Sequence, residues 1–200
     1  MQTIPYAVGF SLIGYLCGSL PFAVWITHLV KGVDVRDGGS GHATTTNTIR
    51  QAGFLPGALV FVLDVAKSFG PTWLALKAAP VVWIVPLTAA MAVIGHCWPI
   101  FAGFRGGMGL APANGGMMVA APVAILIVYA TLGLLTLILR HSARASVVTG
   151  ILFTPLLWLA GVRGSLLWIG TAVGTVVALR FLIDWNRKYR ELWLDREKST

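Results

Sequence analysis

The chain has 200 residues, of which 56% are hydrophobic and 11% charged, with a net charge of +8 and a mean hydropathy of +0.79. Soluble domains carry about 25% charged residues and charges are costly inside a bilayer, so the composition excludes an ordinary soluble domain and points to an all-α integral membrane protein. The basic excess lies between apolar runs and in the tail, where membrane topology explains it, so nucleic acid is not an expected partner.

In chain order, apolar runs predict spanning helices near Ile4–Val30, Phe54–Leu76, Pro80–Ile94, Leu110–Ala120, Pro122–Leu139, Val147–Ala160 and Leu166–Ile183. A spanning helix needs about 20 apolar residues. The third, fourth and sixth runs are short, and the fourth contains Pro112, Asn114, Gly115 and Gly116. About seven transmembrane helices are expected; six, with the fourth run re-entrant, is the alternative. No Lys or Arg precedes the first run, so it is expected to stay as a helix rather than act as a cleaved signal.

With the N-terminus outside, the inner loops hold Lys31, Arg36, Arg50, Arg105, Arg140 and Arg144, and the outer loops hold Lys77 and Arg163. Arg180, Arg187, Lys188, Arg190, Arg196 and Lys198 then follow at the cytoplasmic C-terminus. This asymmetry fits the positive-inside rule. The expectation is one polytopic membrane domain over residues 1–200, with 186–200 as a short basic cytoplasmic tail. Cys17 and Cys97 stand alone, so neither a disulfide framework nor a metal site is supported, and no cofactor is expected.

The polar segments between these runs carry the candidate chemistry. GGSGHATTTNTIR, residues 38–50, reads as a phosphate cradle. Its glycines allow close backbone approach, Ser40, Thr46 and Asn47 offer neutral hydrogen bonds, and Arg50 offers a planar fork matched to phosphate. It lacks the GxxxxGK[ST] order of a nucleotide P-loop. A flexible connection between helices is the plainer reading. In LDVAKSFGP, Asp64 and Lys67 share a helix face inside a span; an intramembrane ion pair marks function by default, and a packing pair is the plain alternative. In GHCWPIFAGFRGGMG, His96 and Arg105 flank a turn that ends in Gly106 and Gly107. Taken singly, an interfacial histidine and a topological arginine explain them. RHSARAS, residues 140–146, reads as a basic loop, and DWNRKYRELW, residues 184–193, as an amphipathic interfacial segment.

These motifs, in this order and spacing, resemble the bacterial acyl-phosphate:glycerol-3-phosphate acyltransferases over nearly the whole chain. The matching features are GSLPFAVWITHLVKGVDVRDGGSG, the Thr46–Asn47 pair followed by Arg50, Asp64 and Lys67 in a D-x-x-K segment, GHCWPIFAGFRGG, and RASV near Ser146. The resemblance implies seven transmembrane helices with a cytoplasmic-side active site in the plasma membrane. It also implies transfer of a fatty acyl group from acyl phosphate to glycerol 3-phosphate or a related acceptor, giving lysophosphatidic acid in phospholipid synthesis. The implied partners are those two substrates and membrane lipid. The implied catalytic residues are His96, Asn47 and Ser40. The implied substrate-binding residues are Gly39, Ser40, Gly41, Thr46, Asn47, Arg50, Asp64, Lys67, Arg105, Gly106 and Gly107. Ser40, Asn47, Arg50, His96 and Arg105 are expected to line one cavity.

The chain departs from the family pattern at several of these positions. His42 stands for an asparagine, Thr44 and Thr45 for glycine and alanine, Ser68 for a glycine, and Arg105 and Met108 for lysines. Phe181 and Asp184 stand for a histidine and an asparagine of the final helix. A relative that binds lipid phosphate without turnover, or one with a structural role, is the alternative function. A small anion transporter is a weaker third, since no internal repeat is evident.

Overall fold

Apolar side chains cover the outside of the helices and ionisable ones lie within, the inverse of a soluble domain. Leu29, Leu55, Leu137 and Leu159 are exposed, whereas Arg50, Asp64, Lys67 and Arg180 are buried. A computed structural model describes residues 3–120 and 122–187. The helices are α1 (Thr3–Gly18), α2 (Phe22–Lys31), α3 (Thr45–Ala52), α4 (Phe54–Ala78), α5 (Ile84–Cys97), α6 (Leu110–Ala120), α7 (Pro122–Leu139), α8 (Ser142–Leu159) and α9 (Ser165–Ile183). Short 3-10 turns lie at Val35–Asp37 and Ile100–Ala102, and no strand occurs among the described residues. Beyond Arg187 the basic tail lies outside the described residues.

Among the described residues, five helical stretches are long and apolar enough to cross a membrane: Thr3–Lys31, which is interrupted before Phe22, Phe54–Ala78, Ile84–Ala102, Ser142–Leu159 and Ser165–Ile183. Val123–Leu139 is a shorter apolar helix. At 1.5 Å per residue, α6 is only about 16 Å long, short of the ~30 Å hydrocarbon core. It packs against α4 and α9, the protein cover that a short element needs at membrane depth.

The first apolar run is not one helix. It breaks between Gly18 and Phe22, because Pro21 has no N–H to continue the ladder. Lys67 Nζ, reaching from α4, donates to the Leu20 carbonyl at this break over 2.8 Å. Two other helices extend past their apolar runs. α5 ends at Cys97, which puts His96 in its last turn. α8 begins at Ser142, in the polar RHSARAS stretch, with His141 as its N-cap.

Small residues set the closest helix crossing. Gly14 and Gly18 lie one turn apart on α1 and face α5. A Cβ at Gly18 would overlap the Ala92 carbonyl, and one at Gly95 would overlap the Tyr15 carbonyl. Such small-residue faces let helix backbones approach where lipid removes the hydrophobic drive for association. The apolar core continues through Val93, Phe153, Leu157, Ile169 and Val173.

The connections fall into two groups. Val82 and Trp83, between α4 and α5, share a groove with Gly164, before α9, and Ser165, its first residue. The 38–50 segment, the Gly107–Gly109 turn, Ser142 and the end of α9 meet elsewhere, around the cavity described next.

Candidate active site

The phosphate-cradle segment is half loop and half helix. Thr44 caps α3, its Oγ1 accepting the Asn47 N–H at 3.2 Å, and this satisfies one of the unpaired N–H groups of a helix start. Arg50 therefore sits on a helix. The cap signal was present in the sequence, but β-branched threonines are weak helix formers and α3 has only 8 residues.

Asn47 organises the loop from within. Its Nδ2 donates to the carbonyls of Val35 at 2.7 Å, Gly38 at 3.0 Å and His42 at 3.1 Å, while its Oδ1 accepts the Ser40 N–H at 3.1 Å. It is fully buried. Gly39 has φ +58°, and a Cβ there would overlap Asn47 Oδ1, so this tight turn requires glycine. Gly41 is also left-handed, at φ +71°.

A cavity of about 490 Å³ opens beside this loop. Ser40, His42, Thr44, Thr45, Thr46, Arg50, Asp64, His96, Ser142 and Ser146 supply its polar lining; Phe61, Met108, Leu110, Tyr129, Leu132 and Phe181 supply apolar lining. The Ser40 and Thr45 hydroxyls are buried with no hydrogen-bond partner among the described residues. An unsatisfied buried polar group costs about 1–3 kcal/mol, and both hydroxyls line the cavity that Arg50 also lines.

Asp64 Oδ1 lies 2.7 Å from Lys67 Nζ and 3.6 Å from His96 Nδ1. Asp64 and His96 reach the cavity, whereas Lys67 is not part of its lining. Lys67 pairs with Asp64, donates to the Leu20 carbonyl and lies 5.6 Å from the Phe22 ring centre. These contacts brace the break between α1 and α2.

The Gly106–Gly107 turn packs backbone to backbone. The Gly107 N–H donates to the His96 carbonyl at 3.1 Å, and the Ala43 N–H to the Gly106 carbonyl at 3.3 Å. A Cβ at Gly107 would overlap the His96 imidazole. Arg105 is exposed and outside the cavity lining. Of the five residues expected to share a cavity, Ser40, Arg50 and His96 do so; Asn47 lies behind the loop and Arg105 points elsewhere. Gly103 and Phe104 both take left-handed φ, 61° and 59°, just before Arg105.

The end of α9 closes this side of the site. Asp184 Oδ2 is 2.7 Å from His42 Nε2, so two departures from the family pattern meet in one contact. Arg180 Nε donates to the Gly107 carbonyl at 3.1 Å, and its Nη2 lies 3.3 Å from His42 Nδ1. Arg187 donates to the Ser40 carbonyl. Burial and the neighbouring Arg180 lower the His42 pKa against the opposing pull of Asp184. Sequence reasoning assigned Arg180 and Arg187 to topology alone. The missed signal was an arginine one turn inside the end of an apolar helix, where a buried cation requires partners.

Arg36 ties the same loop to the next one. It forks onto Asp34, with Nη2–Oδ2 at 2.6 Å, and donates from Nη1 to the Ala102 carbonyl at 2.7 Å. That hydrogen-bonded guanidinium holds the Asp34 carboxyl below its ordinary range.

An apolar cleft between α6, α7, α8 and α9 continues from the cavity, sharing Leu110, Leu132 and Ser146 with it. Asn114 Nδ2 on α6 donates to the Tyr129 hydroxyl on α7 at 2.6 Å, at the border of the two spaces.

A buried arginine and unpartnered hydroxyls in one cavity, inside a bundle whose outer surface is apolar, define an integral membrane protein with a polar site enclosed among its helices. The sequence profile described as glycerol-3-phosphate acyltransferase matches residues 8–193. A glycerol-3-phosphate acyltransferase of Aquifex aeolicus is 35% identical over 178 residues, covering 88% of this chain and 92% of its own. One from Anaeromyxobacter dehalogenans is 41% identical over 177 residues, covering 84% and 86%. The crystal structure of PlsY (YgiH), an integral membrane glycerol 3-phosphate acyltransferase, superposes in its glycerol 3-phosphate form with a TM-score of 0.77, at 33% identity and 91% coverage of both chains. Its lysophosphatidic acid form gives 0.75, at 32% identity and the same coverage. The chain belongs to the glycerol-3-phosphate acyltransferase family and is a membrane acyltransferase of phospholipid synthesis.

Proposed function

We propose that the cavity moves a fatty acyl group from acyl phosphate to the 1-hydroxyl of glycerol 3-phosphate, giving lysophosphatidic acid and phosphate. The observation that carries this reading is the pair of unpartnered hydroxyls, Ser40 and Thr45, lining one cavity with buried Arg50. Arg50 and Ser40 bind the phosphate of the acceptor, with Gly39, Gly41, Thr46 and Asn47 shaping the loop that presents them. The apolar lining of the same cavity, Phe61, Leu110, Leu132 and Phe181, faces the acyl chain.

In the transfer step the acceptor hydroxyl oxygen attacks the acyl carbonyl carbon. The new ester C–O bond forms, the C–O bond to phosphate breaks, and phosphate leaves with the bonding electrons. His96 receives the hydroxyl proton and passes it to the departing phosphate. Asp64, 3.6 Å from Nδ1, stabilises the transient imidazolium; a positioned base of this kind contributes roughly 10²–10⁴-fold. Lys67, Arg105, Gly106 and Gly107 support the walls rather than touch substrate.

The proposed membrane is the plasma membrane, crossed seven times with the N-terminus outside. The site faces the cytoplasm, a reading supported by the charge asymmetry of the loops. The test uses purified protein in lipid nanodiscs with a fatty acyl phosphate and labelled glycerol 3-phosphate. Equal molar release of lysophosphatidic acid and phosphate is the expected result. Binding of glycerol 3-phosphate without product would favour a non-catalytic lipid-phosphate binder instead.

A further inference from the structure

The Ser40 hydroxyl is aimed by contacts from two directions. From inside the loop, Asn47 Oδ1 accepts the Ser40 N–H at 3.1 Å. From the far end of the chain, Arg187 donates to the Ser40 carbonyl. Both backbone groups of Ser40 are thus engaged, and the hydroxyl is the group left over.

Asp184 organises the outer contact. Its Oδ2 lies 2.7 Å from His42 Nε2 and 4.0 Å from Arg187 Nη1, and its Oδ1 lies 3.9 Å from Arg180 Nη1. A 2.7 Å contact to a carboxylate puts the ring proton on Nε2. His42 Nδ1 then accepts from Arg180 Nη2 at 3.3 Å. Both ring nitrogens are occupied, so His42 is not placed to act as a base. It is a strut between the Ser40 loop and the last turn of α9.

We infer that Asp184 is a positioning residue for acyl transfer, holding the Ser40 hydroxyl toward the acceptor phosphate through His42 and Arg187. This rests on the function proposed above. It differs from a merely structural role in one respect: the effect of Asp184 must pass through Ser40.

The experiment compares wild type, Asp184→Ala, Ser40→Ala and the double variant in nanodiscs, by turnover of acyl phosphate with glycerol 3-phosphate and by amide hydrogen exchange. Asp184→Ala should raise KM for glycerol 3-phosphate by about tenfold or more, the worth of one hydrogen bond to a charged group, and lower kcat less. In the Ser40→Ala background the same change should have little further effect, because coupled residues are not additive. Asp184→Asn, which keeps an acceptor for His42 Nε2, should recover much of the loss. Exchange over residues 38–44 should quicken in Asp184→Ala while α4 and α5 keep their protection. Multiplying effects of the two single variants, or unchanged exchange over 38–44, would overturn the inference. If the wild type forms no lysophosphatidic acid, the proposed reaction falls instead, and exchange alone decides whether Asp184 holds the loop. If Asp184→Ala fails to fold, Asp184→Asn and its combination with Ser40→Ala carry the same comparison.

Discussion

At Arg50 the chemistry depends on shape as much as on charge. The side chain is buried in a wall that also presents the Ser40 and Thr45 hydroxyls. A lysine keeps the charge but loses the planar fork that grips two phosphate oxygens at once. Arg50→Lys should therefore weaken glycerol 3-phosphate binding by about tenfold to a hundredfold while the fold is retained, measured by equilibrium binding and thermal unfolding of the same sample. Met108 tests the opposite change. It lines the cavity, and a thioether neither donates to phosphate nor neutralises it. Nearby cations are engaged by other groups: Arg180 and Arg187 bond the Gly107 and Ser40 carbonyls. Lys67 pairs with Asp64, and Arg144 lies over the Trp185 ring and bonds Asn186. Met108→Lys should raise kcat/KM for glycerol 3-phosphate by about tenfold; a natural form that the lysine does not improve would show that the remaining groups already satisfy the phosphate. Ser40, Arg50 and His96 were expected in one cavity and do line it; residue type singled out Ser40 and Arg50 as polar groups in an apolar chain, whereas His96 joined them only through the family resemblance. The partners of His42 and Asp184 were not legible, since they are 142 positions apart and only the fold brings them together.

At the level of single helices, apolar run length located the spans well and their ends poorly. Ser142–Arg144 belongs to α8 and Thr45–Ala52 forms α3, yet both stretches are polar, and hydropathy sees only the lipid-facing part of a helix. The break at Pro21 was visible as a proline but was absorbed into a long apolar stretch. What repairs it, the Lys67 contact to the Leu20 carbonyl, is a tertiary fact. The α1–α5 crossing gives a direct test of helix packing. Gly18→Leu would drive a side chain into the Ala92 carbonyl, so the helices must separate. Overpacking of this kind costs about 1–3 kcal/mol, and the variant should unfold at lower denaturant concentration in detergent than the wild type. A Leu at Gly9, whose Cβ would meet nothing within 4 Å, should leave the midpoint unchanged.

For the molecule as a whole, charge pattern and hydropathy were enough to anticipate a helical membrane protein with its polar segments gathered together. They could not reveal which loop cations touch ligand, because the positive-inside rule and phosphate binding favour the same residues. The proposed orientation has its own test. Single cysteines at Thr46 and at Ser165, in a background with Cys17 and Cys97 replaced by serine, should react with an impermeant thiol reagent from opposite sides of a sealed vesicle. Labelling of both from one side would overturn the seven-crossing arrangement.

Several of those loop cations have a second task. Arg36 bonds the Ala102 carbonyl, Arg180 the Gly107 carbonyl and Arg187 the Ser40 carbonyl. In the proposed orientation, the guanidinium groups that hold these irregular loops together are also retention signals read while the nascent chain enters the bilayer. Biogenesis and catalysis then share residues. Neutralising one such arginine would both bias insertion toward the wrong topology and loosen the loop it staples. Low yield and low specific activity would arrive together, and separating them requires counting correctly oriented molecules before assigning a catalytic defect.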